Sequence, residues 1–374
     1  MPRFSVARTI IEDAIDGRVF PAAVIEVGTA DEVLWRAAFG RLTYEADAPP
    51  TQPGTLFDLA SLTKVIATTT LVMRLVDEQR LAAGDPVAHW LRDWRGLDRE
   101  HVTVRDLLAH TSGLSAWLPL YRDCSGRQEF QPAICGLPLE FRPGTQAVYS
   151  DLGFILLGFI LEDAGRAPLS IQFGEIWQDL TAAGTTGAST EGAEVGATLP
   201  RAHLDYTPGP AWRTAIAPTE IDAWRGRLLV GEVHDENAWA LGGIAGHAGL
   251  FGNAAGVGMF ARWLLRVRLN RPDGLPRLVD PITARRFTTR AGDPDSSRAL
   301  GWDTMLPTSS CGVRLSQTAF GHTGYTGTSL WIDPEAALYV VLLTNRVHSS
   351  RAGDAIRRVR PAVHDAILED VAPA

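Results

Sequence analysis

The sequence contains almost no lysine. Lysine and arginine total 35 in 374 residues, yet Lys64 is the only lysine and all the others are arginines. Arginine keeps its proton near neutral pH whereas lysine can lose it, which makes Lys64 a candidate for proton transfer. A coding bias that replaces lysine by arginine explains the low count, and under such a bias the one remaining lysine points to a function.

Cysteine is also scarce, and long apolar runs are missing. Cys124, Cys135 and Cys311 form no metal-binding pair such as C-x-x-C, which is typical of a reducing compartment. The first residues lack the apolar stretch of a signal peptide, so we expect a cytoplasmic protein, or a periplasmic one if a leader was removed. No apolar run approaches the roughly 20 residues that cross a bilayer. The net charge of −8, without a polybasic run, argues against nucleic acid and membrane surfaces as partners.

The sequence does contain a large core and strands at both ends. Apolar residues make up 45% of it. Apolar alternation predicts strands, and helical spacing predicts two prominent helices. The strands are expected over 22–27, 33–38, 327–332 and 337–344, and the helices over 61–78 and 150–164.

We therefore predict an α/β fold in which one antiparallel sheet is flanked by helices. Residues 1–60 and about 290–374 would form the sheet subdomain, and about 61–289 a mostly helical subdomain inserted between them. The whole chain, 1–374, would be a single domain.

A serine and the single lysine stand three residues apart at the predicted start of the long helix, in Ser61-Leu62-Thr63-Lys64. Three residues turn about 300° around an α-helix, so the two side chains lie about 60° apart on one face. Serine becomes a nucleophile when a base takes its proton, and a lysine of lowered pKa can do this. A capping serine beside a surface lysine is the alternative interpretation.

Two later segments carry further candidates. Tyr149 precedes the predicted buried helix, and its phenol can serve as acid or base if cations lower its pKa. His322-Thr323-Gly324 stands just before a predicted strand, where small residues let a substrate pair with the strand edge. A tyrosine that anchors a helix and a glycine-rich turn are the respective alternatives.

In this order, the three segments resemble the penicillin-recognising serine hydrolases, whose pattern is S-x-x-K, then Y-x-N or a variant, then K-T-G or H-T-G. The chain is similar to class C β-lactamases, D-alanyl-D-alanine carboxypeptidases and family VIII carboxylesterases over nearly its whole length. The stretch Val233-His-Asp-Glu-Asn-Ala238 resembles a penicillin-binding-protein-4B-like subgroup. Supporting segments are Phe57–Ala60, Leu108–Leu114 and Gly246–Phe251.

The resemblance implies a β-lactamase-type fold and an acyl-enzyme on Ser61, with Lys64 as its proton partner. Tyr149 would shuttle protons, and which of Lys64 and Tyr149 takes the serine proton stays open. The backbone N–H groups of Ser61 and Tyr325 would form the oxyanion hole, without a metal or an organic cofactor. The substrate would be a small ester or amide, and its binding site would be lined by Asp151, His322, Thr323 and Gly324.

Two departures from the family pattern bear on the substrate. Asp151 replaces an asparagine and His322 replaces a lysine, which makes the site two charge units less positive. This favours an esterase acting on neutral substrates over a β-lactamase, a D-alanyl-D-alanine carboxypeptidase or a D-aminopeptidase. A non-catalytic binding protein of the same fold is a further alternative. A simpler explanation of Asp151 is that it pairs with Lys64 and holds it in place.

Two histidine-containing segments are weaker candidates. His110 lies in a turn-like His-Thr-Ser-Gly and is expected to be structural. His234-Asp235-Glu236 suggests a metal, but three consecutive residues do not easily face one ion. The sequence leaves the oligomeric state and the natural acyl group open.

Overall fold

Helices and short strands make up the part of the chain that the computed structural model describes, residues 3–184, 201–271, 274, 276–290 and 296–371. The strands are β1 (Ala22–Thr29), β2 (Val33–Gly40), β3 (Phe57–Asp58), β4 (Leu204–Asp205), β5 (Ile221–Asp222), β6 (Arg227–Leu228), β7 (Phe251–Gly252), β8 (Asp303–Thr304), β9 (Phe320–Thr323), β10 (Ser329–Asp333) and β11 (Leu338–Thr344). The α-helices are α1 (Ser5–Asp16), α2 (Thr70–Asp77), α3 (Val87–Trp90), α4 (Val104–Leu108), α5 (Gly126–Cys135), α6 (Asp151–Gly165), α7 (Leu169–Gly184), α8 (Glu236–Ala240), α9 (Ala254–Arg268), α10 (Pro281–Thr288) and α11 (Ile356–Val371). A π-helix spans Lys64–Thr69, and 3-10 turns span Leu120–Arg122 and Pro210–Ala215.

Strands from the two ends of the chain form one antiparallel sheet, in the order β2-β1-β11-β10-β9-β8. Every residue of β11 is buried, as is all of β1 except Thr29. Helix α9 covers one face of these central strands, and α1 with α11 covers the other. A strand covered on both faces is apolar at nearly every position, and the buried Glu26 of β1 is an exception that pairs with Arg36 at 2.7 Å. The predicted fold class, an antiparallel sheet flanked by helices, is confirmed.

The predicted strands match β1, β2, β10 and β11 to within two residues at each end. Strands β8 and β9 were not predicted. His322 and Thr323 lie within β9 and, as predicted, precede the strand that is confirmed as β10. The sequence of β9, Phe-Gly-His-Thr, is short and combines the strand-favouring Phe and Thr with a glycine, so its pairing with β10 decides its conformation.

The long helix predicted over 61–78 is confirmed, because the chain is helical without a break from Leu62 to Asp77. Within it, Lys64–Thr69 form the π-helix, in which every residue is buried, and Thr70–Asp77 form α2. Short π-helical stretches occur frequently at functional sites. The buried helix predicted over 150–164 is confirmed as α6, where Ser150 caps the start by accepting a hydrogen bond from the N–H of Gly153 at 3.2 Å.

Most of the helices lie in the chain between β2 and β8, together with the short strands β3 to β7. The division of the chain at residue 61 and near residue 290 stays a prediction. Within the described ranges, no helix is both long and apolar enough to cross a membrane.

Candidate active site

Ser61 follows a short strand and a left-handed bend. Strand β3 pairs with β7, and Ala60, the residue before the serine, has φ at 47°. The buried carboxylate of Asp58 holds the bend by accepting hydrogen bonds from the N–H groups of Ala60 at 2.8 Å and His234 at 2.7 Å. Burial raises the pKa of Asp58, and these bonds only partly offset it. Ser61 itself is half-buried and lies in the wall of a pocket.

Lys64 is fully buried beneath Ser61, and its ammonium group contacts Tyr149 and three oxygen atoms of other residues. Nζ lies 3.0 Å from Ser61 Oγ, 3.0 Å from the carbonyl oxygen of His247 and 2.7 Å from Oδ1 of Asp151. Burial alone would lower the pKa of Lys64, but the charge of Asp151 and the contact with Tyr149 outweigh it, so the pKa lies above its ordinary value. The predicted lowered pKa is therefore wrong for the free enzyme. Asp151 pairs with Lys64 and keeps it charged.

Tyr149 lies at the centre of a cluster of rings and cations. Its ring centroid is 4.7 Å from that of His110 and 5.8 Å from that of His322. The ammonium of Lys64 lies 5.0 Å from the tyrosine ring and the guanidinium of Arg298 lies 5.1 Å from it. Burial raises the pKa of Tyr149 by more than Lys64 lowers it. The lowered pKa expected from neighbouring cations is wrong here, and Tyr149 is a neutral phenol.

The two histidines beside Tyr149 are uncharged. Burial, together with the positive charges of Arg298 and Lys64, lowers the pKa of both His110 and His322 well below the ordinary value. His110 accepts a hydrogen bond from the N–H of Ser150 at 3.0 Å, and His322 Nδ1 donates to the carbonyl of Thr323 at 2.9 Å. His110 therefore contacts the Tyr149 ring, and its hydrogen bond with Ser150 connects the turn that contains His110 to the start of α6.

One pocket of about 660 Å³ brings the predicted site residues together. The side of the pocket near β9 includes Tyr325, whose side chain is 51% exposed and packs under the guanidinium of Arg346, 4.4 Å from its ring centroid. Lys64 lies directly behind the pocket wall. The predicted residues that line the pocket are Ser61, Tyr149, Asp151, His322, Thr323, Gly324 and Tyr325.

Three arginines on the same side of the pocket, Arg346, Arg357 and Arg360, form what we call the arginine wall. Arg360 of α11 is 7% exposed, and its Nη2 donates to the carbonyl oxygens of Gly324 and Thr328, each at 2.8 Å. Burial, with the charges of the other two arginines, lowers the pKa of Arg360 to about 9. Sequence reasoning missed these residues because, in a chain whose cations are nearly all arginines, no local pattern marks them.

The carboxylate of Asp235, which is 21% exposed, pairs with the buried His247 beside Lys64. Oδ1 of Asp235 accepts hydrogen bonds from His247 Nε2 at 2.8 Å and from the N–H of Ala238 at 2.7 Å, which also caps α8. Burial would raise the pKa of Asp235, but His247 holds it well below the ordinary value. The carbonyl of His247 is the one that contacts Lys64. The sequence suggested that His247 lines the cleft or supports the backbone, but it gave no sign that His247 pairs with Asp235.

The side chains of His234-Asp235-Glu236 face different partners and not one centre. His234 Nε2 contacts Glu220 at 2.9 Å, and Glu236 accepts a bond from Arg351 at 2.7 Å. Across the described part of the chain, no group of three or more histidine, cysteine or acidic residues is arranged to hold a metal ion.

Comparison with known proteins agrees with the resemblance seen in the motifs. The family model for Beta-lactamase matches residues 7–364. A Salmonella agona protein named "Putative D-alanyl-D-alanine carboxypeptidase" is 33% identical over 318 residues, covering 79% of this chain and 70% of that protein. The Bacillus subtilis protein named N-acetylmuramyl-L-alanine amidase is 32% identical over 372 residues, covering 88% and 78% respectively.

Solved structures share the fold at lower sequence identity. EstCE1, a hydrolase with promiscuous acyltransferase activity, superimposes with a TM-score of 0.72 at 21% identity and covers 97% of both chains. A penicillin-binding protein homologue from Caulobacter crescentus gives 0.72 at 20% identity and 98% coverage of both. The chain belongs to the beta-lactamase family and is a serine hydrolase.

Proposed function

We propose that the protein hydrolyses its substrate through an acyl-enzyme on Ser61. The observation that carries this proposal is the 3.0 Å contact between Ser61 Oγ and the buried Nζ of Lys64. Oγ attacks the acyl carbon, its proton passes to the Lys64–Tyr149 pair, and that proton is then delivered to the departing amine or alcohol. Water attacks the acyl carbon in the second step and releases Ser61.

The active form of the site has one proton fewer than the free enzyme near neutrality. Both Lys64 and Tyr149 have raised pKa values, so the pair is fully protonated as an ammonium and a phenol. Loss of one proton from this coupled pair creates the base that serine needs. We therefore expect kcat/KM to rise with pH above neutrality.

A fluorophosphonate probe tests the nucleophile. Peptide mapping should find the adduct on Ser61 in the native protein and no adduct in Ser61→Ala. Ser112→Ala is a matched control, because Ser112 is buried and does not line the pocket. A label on another residue, or no label at all, contradicts the mechanism.

For the substrate, we propose a peptide-like amide that carries a negative charge. The related proteins are named for D-alanyl-D-alanine and for N-acetylmuramyl-L-alanine. The charge count made from the sequence omitted the arginine wall, and the charge of Asp151 is already balanced by Lys64 at 2.7 Å. The wall therefore offers positive charge to an anionic group of a substrate bound at Ser61.

A substrate panel with one substitution in the wall tests this. D-alanyl-D-alanine peptides and N-acetylmuramyl-L-alanine peptides should be cleaved faster than neutral p-nitrophenyl esters. The panel also includes nitrocefin, which represents the β-lactams. Arg357→Gln should raise KM for the anionic substrates about fivefold or more and leave the neutral esters unchanged. Arg358→Gln is the matched control, because Arg358 is exposed on the same helix but does not line the pocket.

Small neutral esters are the second candidate, and the uncharged state of His322 favours them. A neutral histidine in place of the family lysine removes one cation from the substrate edge. In the same panel, faster cleavage of the neutral esters, with no effect of Arg357→Gln on any substrate, would support the esterase and contradict the anionic amide.

A further inference from the structure

The proposed oxyanion hole takes one N–H group from each of two segments that are far apart in sequence. Tyr325 lies in the turn 324–328, which joins β9 to β10, and Ser61 follows the bend 58–60. Such a hole works only when both donors lie about 2.7–3.1 Å from the position of the oxyanion. The distance between the two N–H groups therefore depends on what holds the turn against the bend.

Two buried threonine hydroxyls of the turn make this connection. Thr326 Oγ1 donates a hydrogen bond to the carbonyl oxygen of Asp58 at 2.7 Å, and Thr328 Oγ1 donates to that of Leu59 at 3.0 Å. Thr326 is 1% exposed and Thr328 is 0% exposed. Water does not compete for bonds buried to this degree, which makes them stronger than they would be at the surface.

The turn and the bend are also in direct contact. A Cβ added to Gly324 would stand 2.5 Å from the carbonyl oxygen of Leu59 and 3.3 Å from Cβ of Ala60, so only glycine permits this approach. Arg360 binds the carbonyl oxygens of Gly324 and Thr328. The turn is therefore held by the guanidinium of Arg360 as well as by the threonine hydroxyls.

We propose that Thr326 and Thr328 are positioning residues that set the spacing of the oxyanion hole. This inference rests on the proposed function, because it takes the N–H groups of Ser61 and Tyr325 as the hole. Neither hydroxyl is needed to bind the ground-state substrate, and both align the donors that the transition state uses. Their loss therefore lowers kcat and leaves KM nearly unchanged.

Valine removes each hydroxyl while it keeps the branched shape, and serine keeps the hydroxyl. Thr326→Val and Thr328→Val should each lower kcat about 10-fold to 100-fold. This is the expected effect when an N–H donor of the oxyanion hole moves by up to about one ångström. KM should stay within about twofold. Thr326→Ser and Thr328→Ser should retain most of the native kcat, since they can still bond the two carbonyls.

Thr288→Val is the matched control. Thr288 is also buried, at 2% exposed, and its hydroxyl donates to the carbonyl oxygen of Ala284 at 2.8 Å, but it lies in α10 and does not line the pocket. Its replacement should reduce stability slightly and leave kcat unchanged. Circular dichroism on every variant shows whether each is folded.

The labelling experiment tests the proposed function, and the threonine variants test the positioning role separately. If the fluorophosphonate does not label Ser61 in the native protein, the proposed function fails and the inference fails with it. If Ser61 is labelled, the inference is overturned when the valine variants keep kcat or change only KM. It is also overturned when they fall no further than Thr288→Val, when serine does not restore the rate, or when a valine variant does not fold.

Discussion

Asp151 controls the charge of Lys64 in this site. The carboxylate lies 2.7 Å from Nζ, and the pKa of Lys64 is raised although burial opposes this. In the family pattern an asparagine stands at this position. Because asparagine is uncharged, it cannot stabilise the ammonium group of the lysine as a carboxylate does. The single substitution thus sets the pH at which the Lys64–Tyr149 pair loses its proton.

Asp151→Asn should move the rising part of the kcat/KM profile to lower pH by about one unit or more, the usual effect of removing an adjacent opposite charge. The sign follows because burial remains and lowers the pKa of Lys64 once the carboxylate is gone. A pH–rate profile measures the shift. Asp303→Asn removes another carboxylate of the pocket wall and should leave the profile in place. An unmoved profile in Asp151→Asn would show that another group controls it.

Lys64→Arg should lower kcat by about 10²–10⁴, the usual contribution of general acid–base catalysis. Arginine keeps the positive charge but does not give up its proton at the pH of the assay. Because Lys64 is fully buried, the larger side chain should also reduce the free energy of unfolding by about 1–3 kcal/mol.

Steady-state kinetics and urea unfolding separate the two effects of this change. Lys64→Met keeps the chain length without the charge and should lose kcat to a similar extent. Turnover close to that of the native protein in Lys64→Arg would mean that Lys64 contributes only charge or packing.

At the scale of secondary-structure elements, the contact between α6 and the segment at Gly246 positions two partners of Lys64. A Cβ added to Gly246 would stand 2.1 Å from the carbonyl oxygen of Phe154 and 2.8 Å from the backbone nitrogen of Gly158. Backbone atoms of a helix cannot rotate away, so a side chain at this position must separate the two elements. Asp151 begins α6 and His247 follows Gly246, so both contacts of Lys64 would shift.

Gly246→Ala should therefore reduce the free energy of unfolding by about 1–3 kcal/mol and kcat/KM by about tenfold or more. Gly174→Ala is the control, because a Cβ at this position of α7 meets no atom within 4 Å. The control should keep full activity and gain up to about 1 kcal/mol from the better helix propensity of alanine. Equal activity of the two variants would contradict the role of this contact.

At the scale of the whole molecule, buried neutral histidines make the fold sensitive to acid. His364 of α11 is fully buried, and burial together with the charge of Arg360 lowers its pKa to about 3. In the unfolded chain the same group titrates near pH 6.5. Between these two values the unfolded state binds a proton that the folded state does not, so stability is lost as the pH falls below about 6.5.

His364→Leu should weaken this dependence. The free energy of unfolding from urea titrations at pH 6, 5 and 4 should fall less steeply than in the native protein, by about 1.4 kcal/mol per pH unit, the value for one proton. At pH 7 the variant should fold as well as the native protein, because neither ring nitrogen of His364 has a hydrogen-bond partner among the described residues. An unchanged slope would show that His364 is protonated in the folded state.

Much of the fold could be predicted from the sequence because the central strands are buried on both faces. The runs of β1 and β11 are largely apolar, and that pattern is visible in the sequence, although β1 also contains the buried Glu26. Strand β9 and the π-helix could not be predicted, because their conformations depend on neighbours supplied by other parts of the chain. Ser61 and Lys64 were predicted as site residues from their three-residue spacing, the scarcity of lysine and the order of the motifs, and the tertiary structure brings the two side chains to a 3.0 Å contact.

The sequence by itself determined the family, the sheet with its covering helices and the short-range motifs, because covalent spacing and apolar patterning carry that information. Only the tertiary structure decided the protonation of Lys64 and Tyr149, the arginine wall, and the threonine bonds across 268 and 269 residues. A pKa depends on burial and on charges from segments distant in sequence, and both arise only when the chain has folded. The same motif letters could therefore specify a charged or an uncharged lysine, and in this protein Asp151 at the start of α6 makes it charged.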